Sequence, residues 1–167
     1  MKNNYNDNNR KQKTYTYSEA KVKAMAYCAY QERSQQQLRD KLYEYGLTPD
    51  EVENLIADLI GENFLNEERF AKAYAGGKFR IKQWGRYKIQ QGLKQHRISD
   101  YCIRKGMNEI DPEEYYNTLR MLLQKKKDGL REKDSFTLNS KLARYAISKG
   151  FEQDLVWEAI KESGEEP

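Results

Sequence analysis

One pattern recurs three times in this chain and restricts its fold more tightly than its composition does. Leu42, Leu47, Val52 and Ile56 are spaced as Leu93, Ile98, Ile103 and Met107 are, and again as Ala146, Phe151, Val156 and Ile160. Successive copies are offset by 51 and then 53 positions. In each copy the last two residues stand four apart, a spacing that a helix places on one face and a strand does not. A period of about fifty residues built from such segments predicts tandem helical units. Each unit reads as three helices and holds too few apolar residues to bury a core alone, so neighbours are expected to stack. The predicted fold is all-α: three three-helix repeats over 18–63, 64–110 and 111–163, stacked into an elongated, curved array, behind a polar, disordered tail over 1–17.

Start and stop signals support this division. Ser18 is placed as the N-cap of the first helix, with Glu19 just inside. Ser34 and Gln37 form a capping box ahead of Leu38 and Leu42, and Gly46 ends that helix. Thr48, Pro49 and Glu51 open the next, where Val52, Leu55, Ile56, Leu59 and Ile60 form the cleanest amphipathic stripe. Asn66 is read as the cap of a helix carrying Phe70, Ala71 and Tyr74, which ends at Gly76-Gly77 or continues to about Gln83. Later starts fall before Ile89, at Ser99, and at Asp111-Pro112 with a box to Glu114. The turn glycine of the first and third copies, Gly46 and Gly150, is Arg97 in the middle one. A left-handed non-glycine residue costs about 1 kcal/mol, so that turn is expected to be built differently.

The missing parts argue against catalysis. His96 is the single histidine, set between Lys94 and Arg97, and is read as a solvated surface residue with no metal set or triad around it. No phosphate-binding glycine loop occurs, and the acid pairs Glu67-Glu68 and Glu113-Glu114 sit in first helical turns, where the macrodipole accounts for them. The expectation is a protein with no enzymatic activity, cofactor or metal. No apolar run of about 18 residues is present to span a membrane. The Asn-rich start has no apolar segment of a secretory signal, and Cys28 and Cys102 lack CxxC spacing, which together suggest a reduced, cytoplasmic setting.

Charge is distributed unevenly. Between Lys78 and Lys105 stand nine basic residues, Lys78, Arg80, Lys82, Arg86, Lys88, Lys94, Arg97, Arg104 and Lys105, against the single acid Asp100. This window carries +8 in a chain whose total is +4, leaving −4 for the rest. Such segregation exceeds what solubility requires and marks a candidate surface for phosphates or an acidic groove. Phe79, Trp84 and Tyr87 lie among these cations; Trp84 is either a base- or pocket-binding aromatic or a packing anchor between helices. Lys125, Lys126, Lys127 and Arg144, with Arg131, Lys133, Lys141 and Lys149, form a second set. Asp128, Glu132 and Asp134 dilute that set, so it reads equally as a binding face or as ordinary solvated charge.

Arg33-Ser34 before Leu38 and Leu42, Phe64-Leu65-Asn66-Glu67 before Arg69-Phe70-Ala71, and Trp84-Gly85-Arg86 before Lys88-Ile89 and Leu93 occur in a specific order. With Lys141-Leu142-Ala143-Arg144, Gly150-Phe151 and Ala159-Ile160, this order resembles the RecX family of recombination regulators from about Ser18 to Glu162. The resemblance implies tandem three-helix repeats in a cytosolic bacterial protein that is not an enzyme. It further implies binding to the RecA recombinase filament on single-stranded DNA, with inhibition of its ATPase, strand-exchange and co-protease activities. A monomer with weak direct affinity for DNA is expected. The competing reading is a stand-alone helical DNA- or RNA-binding module with Ser34–Ile60 as a helix-turn-helix. Its would-be recognition helix carries Glu51, Glu53 and Asp58 and would repel phosphates. A third reading, a purely structural repeat scaffold, predicts neither partner.

Overall fold

The computed structural model describes residues 14–165, which form nine helices and, among the described residues, no strand. The helices are α1 (Tyr17–Tyr30), α2 (Gln35–Glu44), α3 (Pro49–Gly61), α4 (Glu67–Arg80), α5 (Arg86–Gln95), α6 (Asp100–Met107), α7 (Pro112–Asp128), α8 (Ser135–Ser148) and α9 (Gln153–Glu165). They divide into two compact units, one ending at Asn66 and one beginning at Glu67.

In the first unit, Ala20, Ala24 and Cys28 of α1 pack on Leu38 and Leu42 of α2 and on Val52, Leu55, Ile56 and Leu59 of α3. Small residues on α1 allow its backbone to approach the leucines of its neighbours. Ser34 is fully buried, and its capping box with Gln37 is complete, as is that of Thr48 with Glu51. Ile60 departs from the expected stripe and is 44% exposed. The chain is also ordered before Ser18. Thr16, not Ser18, caps α1 and forms a full box with Glu19. The Tyr15 amide donates to the Tyr45 carbonyl at 2.9 Å, and the two rings meet edge to face at 5.4 Å. The Tyr17 hydroxyl donates to Asp58 at 2.8 Å, and burial, reinforced by that carboxylate, pushes its pKa up to about 12. The rest of the expected tail, residues 1–13, lies outside the described residues.

In the second unit, α4 to α9 share one core, in which Phe79, Ile89, Leu93, Tyr115, Leu119, Phe151 and Val156 are its largest fully or nearly fully buried members. Helix α4 runs straight through Gly76-Gly77, and the chain turns at Gln83, which takes a left-handed φ of 54°. At the start of α7, Asp111 accepts from the Glu114 amide, which is the cap without the reciprocal bond of a full box.

The three repeat turns have the same construction. Gly46 (φ 86°), Arg97 (φ 57°) and Gly150 (φ 98°) are all left-handed. In each case the amide of the next residue returns to the last leucine or alanine of the preceding helix: Leu47 to Leu42, Ile98 to Leu93, Phe151 to Ala146. This is the Schellman arrangement. The middle turn is therefore not rebuilt to suit Arg97; the backbone bonds and burial of Ile98 hold the arginine in a conformation suited to glycine. Arg97→Gly is expected to stabilise the second unit by about 1 kcal/mol in urea titration. An unchanged or lower midpoint would contradict a strained Arg97.

The second and third repeats meet backbone to backbone where the α4–α5 connection crosses the α8–α9 turn. The Gly85 amide donates to the Lys149 carbonyl at 2.8 Å and the Tyr87 amide to the Gly150 carbonyl at 3.0 Å. A Cβ on Gly85 would overlap the Gly150 carbonyl group and the Phe151 amide, and one on Gly150 would overlap Lys88. Beside this crossing, the fully buried Tyr115 accepts from the Arg86 amide at 3.0 Å and donates to Glu152 at 2.5 Å. The Arg86 guanidinium lies 3.8 Å from the Tyr115 ring centroid and pairs with Glu152 at 3.1 Å. Burial and the Glu152 carboxylate hold the Tyr115 hydroxyl far above its ordinary pKa, so it stays a donor.

Candidate functional site

The crossing of Gly85 and Gly150 gathers cations that are far apart in sequence. Trp84 is half-buried against the core, and the ammonium groups of Lys78, from α4, and Lys88, from α5, each lie 4.7 Å from its ring centroid. Lys149, at the end of α8, donates to the Lys82 carbonyl at 3.3 Å. Burial, and then the nearby Lys88 charge, lower its pKa. Among the described residues no carboxylate forms an ion pair with Lys78, Lys82, Lys88 or Lys149. Lys149 also lies 5.9 Å from the Tyr145 ring centroid, and Lys126 of α7 lies 4.9 Å from the same centroid. A row of lysines and aromatics thus runs from Lys78 and Trp84 through Lys88 and Lys149 to Tyr145 and Lys126. Ammonium–aromatic contacts hold flexible side chains at low cost without neutralising them.

The other expected contact residues are placed differently. Arg80 is exposed with its guanidinium folded back over Gly76. Arg86 is engaged by Glu152 and serves the junction between repeats. Lys94 and Arg97 are exposed at the far end of α5 from Lys88. Arg104 and Lys105 line a different groove with Gln90, Tyr101 and Met107, where Lys105 stands 5.5 Å from the Tyr101 ring. Lys125 is exposed on α7 and Lys127 faces a pocket with Arg120 and Met121, while Arg144 is exposed beside Tyr145. Phe79 is core. Of the row's members, Lys149 belongs to the second basic set, whose run is diluted by acids, and Tyr145 is missed by sequence reasoning because nothing local marks it. The only sequence hint was a glycine at both 85 and 150, since paired glycines permit close backbone approach.

His96 is not a solvated surface residue. Its ring packs edge-on against Phe70 at 5.1 Å and Tyr74 at 5.4 Å. Burial, and secondarily Lys78, lower its pKa. The unfolded chain then binds a proton more readily than the folded one. Stability contributed by neutral His96 is complete above the unfolded value of about 6.5 and is lost as pH falls through it toward the lower folded value. Urea midpoints of the second unit are expected to fall between pH 7.5 and pH 5, and His96→Gln is expected to flatten that decline; an equal slope in both proteins would contradict it.

Models of the first, second and third RecX three-helix domains match the chain at residues 20–59, 66–107 and 113–160, covering α1–α3, α4–α6 and α7–α9 in turn. The chain belongs to the RecX family. A regulatory protein RecX of Clostridium perfringens (strain 13 / Type A) is 34% identical over 124 residues, or 73% of this chain and 58% of that protein. Its namesake in Clostridium botulinum (strain Eklund 17B / Type B) is 32% identical over 133 residues, or 78% of this chain and 62% of that protein. The chain therefore spans about three-fifths of the length of these curated relatives. The crystal structure of RecX from Lactobacillus salivarius superposes with a TM-score of 0.79 at 20% identity, covering 87% of this chain and 95% of that one, which establishes the shared fold. This RecX-family chain carries the lysine–aromatic row on the second and third domains of that fold. Among the described residues no helix is long and apolar enough to cross a membrane, and no group of three or more His, Cys, Asp or Glu could hold a metal ion.

Proposed function

We propose that this protein is a non-enzymatic cytosolic regulator that binds the RecA–single-stranded-DNA filament and inhibits its ATPase, recombinase and co-protease activities. The observation that carries the reading, beyond family membership, is the set of Lys78, Lys88 and Lys149. These three cations come together from two repeats beside Trp84 and the Gly85–Gly150 crossing, and form no ion pair with a carboxylate among the described residues. A filament whose groove contains DNA presents dense negative charge, and an unneutralised lysine set is complementary to it. The helix-turn-helix reading is disfavoured because it would bring α3, with Glu51, Glu53 and Asp58, against phosphates. In the first unit, the basic Arg39 is already engaged by Glu53 at 2.6 Å and Lys21 by Glu62 at 2.6 Å.

The test is titration of the protein into single-stranded-DNA-dependent ATP hydrolysis by RecA of the same bacterium. Progressive inhibition, complete by one regulator per RecA protomer, is expected. Undiminished hydrolysis at that ratio would overturn the proposal. A salt-resistant, sequence-selective gel shift without RecA would instead support a stand-alone DNA-binding module.

A further inference from the structure

The row does not end at the middle repeat. Between the end of α7 and the outer face of α8 lies a shallow groove of about 380 Å³, lined by Lys126, Leu130, Lys141, Arg144, Tyr145 and Ser148. Tyr145 and Leu130 are half-buried and give it an apolar, aromatic floor. Lys126 and Arg144 give it a cationic rim, whereas Lys141 is already paired with Glu132. Lys149 connects this groove to the Trp84 cluster, through Tyr145 on one side and through Lys82 and Lys88 on the other.

The geometry points to Tyr145 as the floor of a nucleobase site, in which one base of a single strand stacks while its flanking phosphates meet Lys126, Arg144 and Lys149. This rests on the reading of the row as a DNA-contacting surface and assigns to it the part that recognises a single strand. The two aromatics differ in what they offer. Trp84 has two ammonium groups at 4.7 Å, and its role is to hold Lys78 and Lys88 in place for phosphates. Tyr145 opens on a groove, and the cations near it sit on four-carbon stems that swing from ring to phosphate as a base enters. A single strand can turn a base out to such a floor. A duplex keeps its bases paired and offers the groove only phosphates. The fit therefore favours single-stranded over double-stranded nucleic acid.

The test uses the full chain without RecA and a fluorescent single-stranded oligonucleotide of mixed sequence, with the matching duplex as comparison. Tyr145→Leu keeps apolar volume against the core and is expected to weaken single-strand binding about tenfold, the worth of one stacked base, with little change for duplex. Tyr145→Phe is expected to bind as the parent does. Arg144→Glu, on an exposed side chain, is expected to weaken both. An oligonucleotide carrying 5-iodouracil is expected to cross-link to the peptide containing Tyr145. Equal affinity of parent and Tyr145→Leu for the single strand, or cross-links confined to residues 78–88, would overturn the base site. Titration of RecA ATP hydrolysis with the same variants separates the two claims. Inhibition by the parent without a Tyr145 effect on strand binding removes only the base site. A Tyr145 effect on strand binding without inhibition removes only the filament proposal.

Discussion

Gly85→Ala is expected to destabilise the second unit by about 3 kcal/mol. The added carbon would overlap backbone atoms of Gly150 and Phe151, which cannot rotate away as a side chain can. Relief requires the α4–α5 connection and the α8–α9 turn to separate. That separation removes the bonds from Gly85 to Lys149 and from Tyr87 to Gly150, each worth about 1 kcal/mol net. It also loosens the adjoining cluster of Arg86, Tyr115 and Glu152. Gly77→Ala is the matched control. It lies inside α4 with nothing within 4 Å of the new carbon, and is expected to stabilise by about 0.5–1 kcal/mol through helix propensity. Urea unfolding followed by Trp84 and Trp157 fluorescence measures both. Equal midpoints for Gly85→Ala and the parent would mean that the two repeats do not meet at this crossing.

The second large effect is on binding. Reversing Lys82, Lys88 and Lys149 to glutamate is expected to weaken association with the RecA–DNA filament about a hundredfold near 0.1 M salt, and to lower the salt dependence of single-strand binding by about 2 in logarithmic slope. These side chains form no ion pair among the described residues; the hydrogen bond lost is that from Lys149 to the Lys82 carbonyl, and the stability of the triple variant in urea unfolding is expected to fall by no more than about 1 kcal/mol. Arg86, although equally basic and in the same stretch, is excluded because its removal would strand Glu152 beside a buried tyrosine. The exposed Lys23, Lys133 and Lys161, changed to glutamate together, shift net charge by the same amount and are expected to have little effect. Filament affinity measured by light scattering or anisotropy distinguishes them; a loss no larger for the triple variant than for the control would remove the row from the interface.

Most of the fold was legible because its signals are local. Ser34 with Gln37, Thr48 with Pro49 and Glu51, and Ser99 each mark a helix start within four residues, and the repeated spacing fixes three equivalent turns. The same logic misplaced the first start. Thr16 has a glutamate three positions on and Ser18 has Lys21, so the capping-box rule favoured Thr16. Arg97 shows the limit of residue preference: three backbone-equivalent turns override a cost of about 1 kcal/mol at one of them.

The site was legible only in part. Lys78, Trp84 and Lys88 fall within eleven residues, so their clustering was visible in the sequence. What the sequence hid was pairing over distance. Arg86 counted as a free cation until Glu152, 66 residues away, met it, and Lys149 counted as one of a diluted run until it reached the Lys82 carbonyl, 67 residues away. His96 looked solvated because its neighbours in sequence are charged, whereas its neighbours in space are Phe70 and Tyr74. Charge composition locates a field along the chain, but the tertiary crossing decides which charges remain unneutralised.

The face bearing Lys78, Lys88 and Lys149 is expected to meet a DNA-loaded RecA filament. Cryo-electron microscopy of this protein bound to RecA on single-stranded DNA tests it most directly. The expected map has the second unit seated with those three lysines toward the filament groove and Tyr145 toward the strand. A map with that face turned to solvent, and α1–α3 making the contact instead, would contradict it.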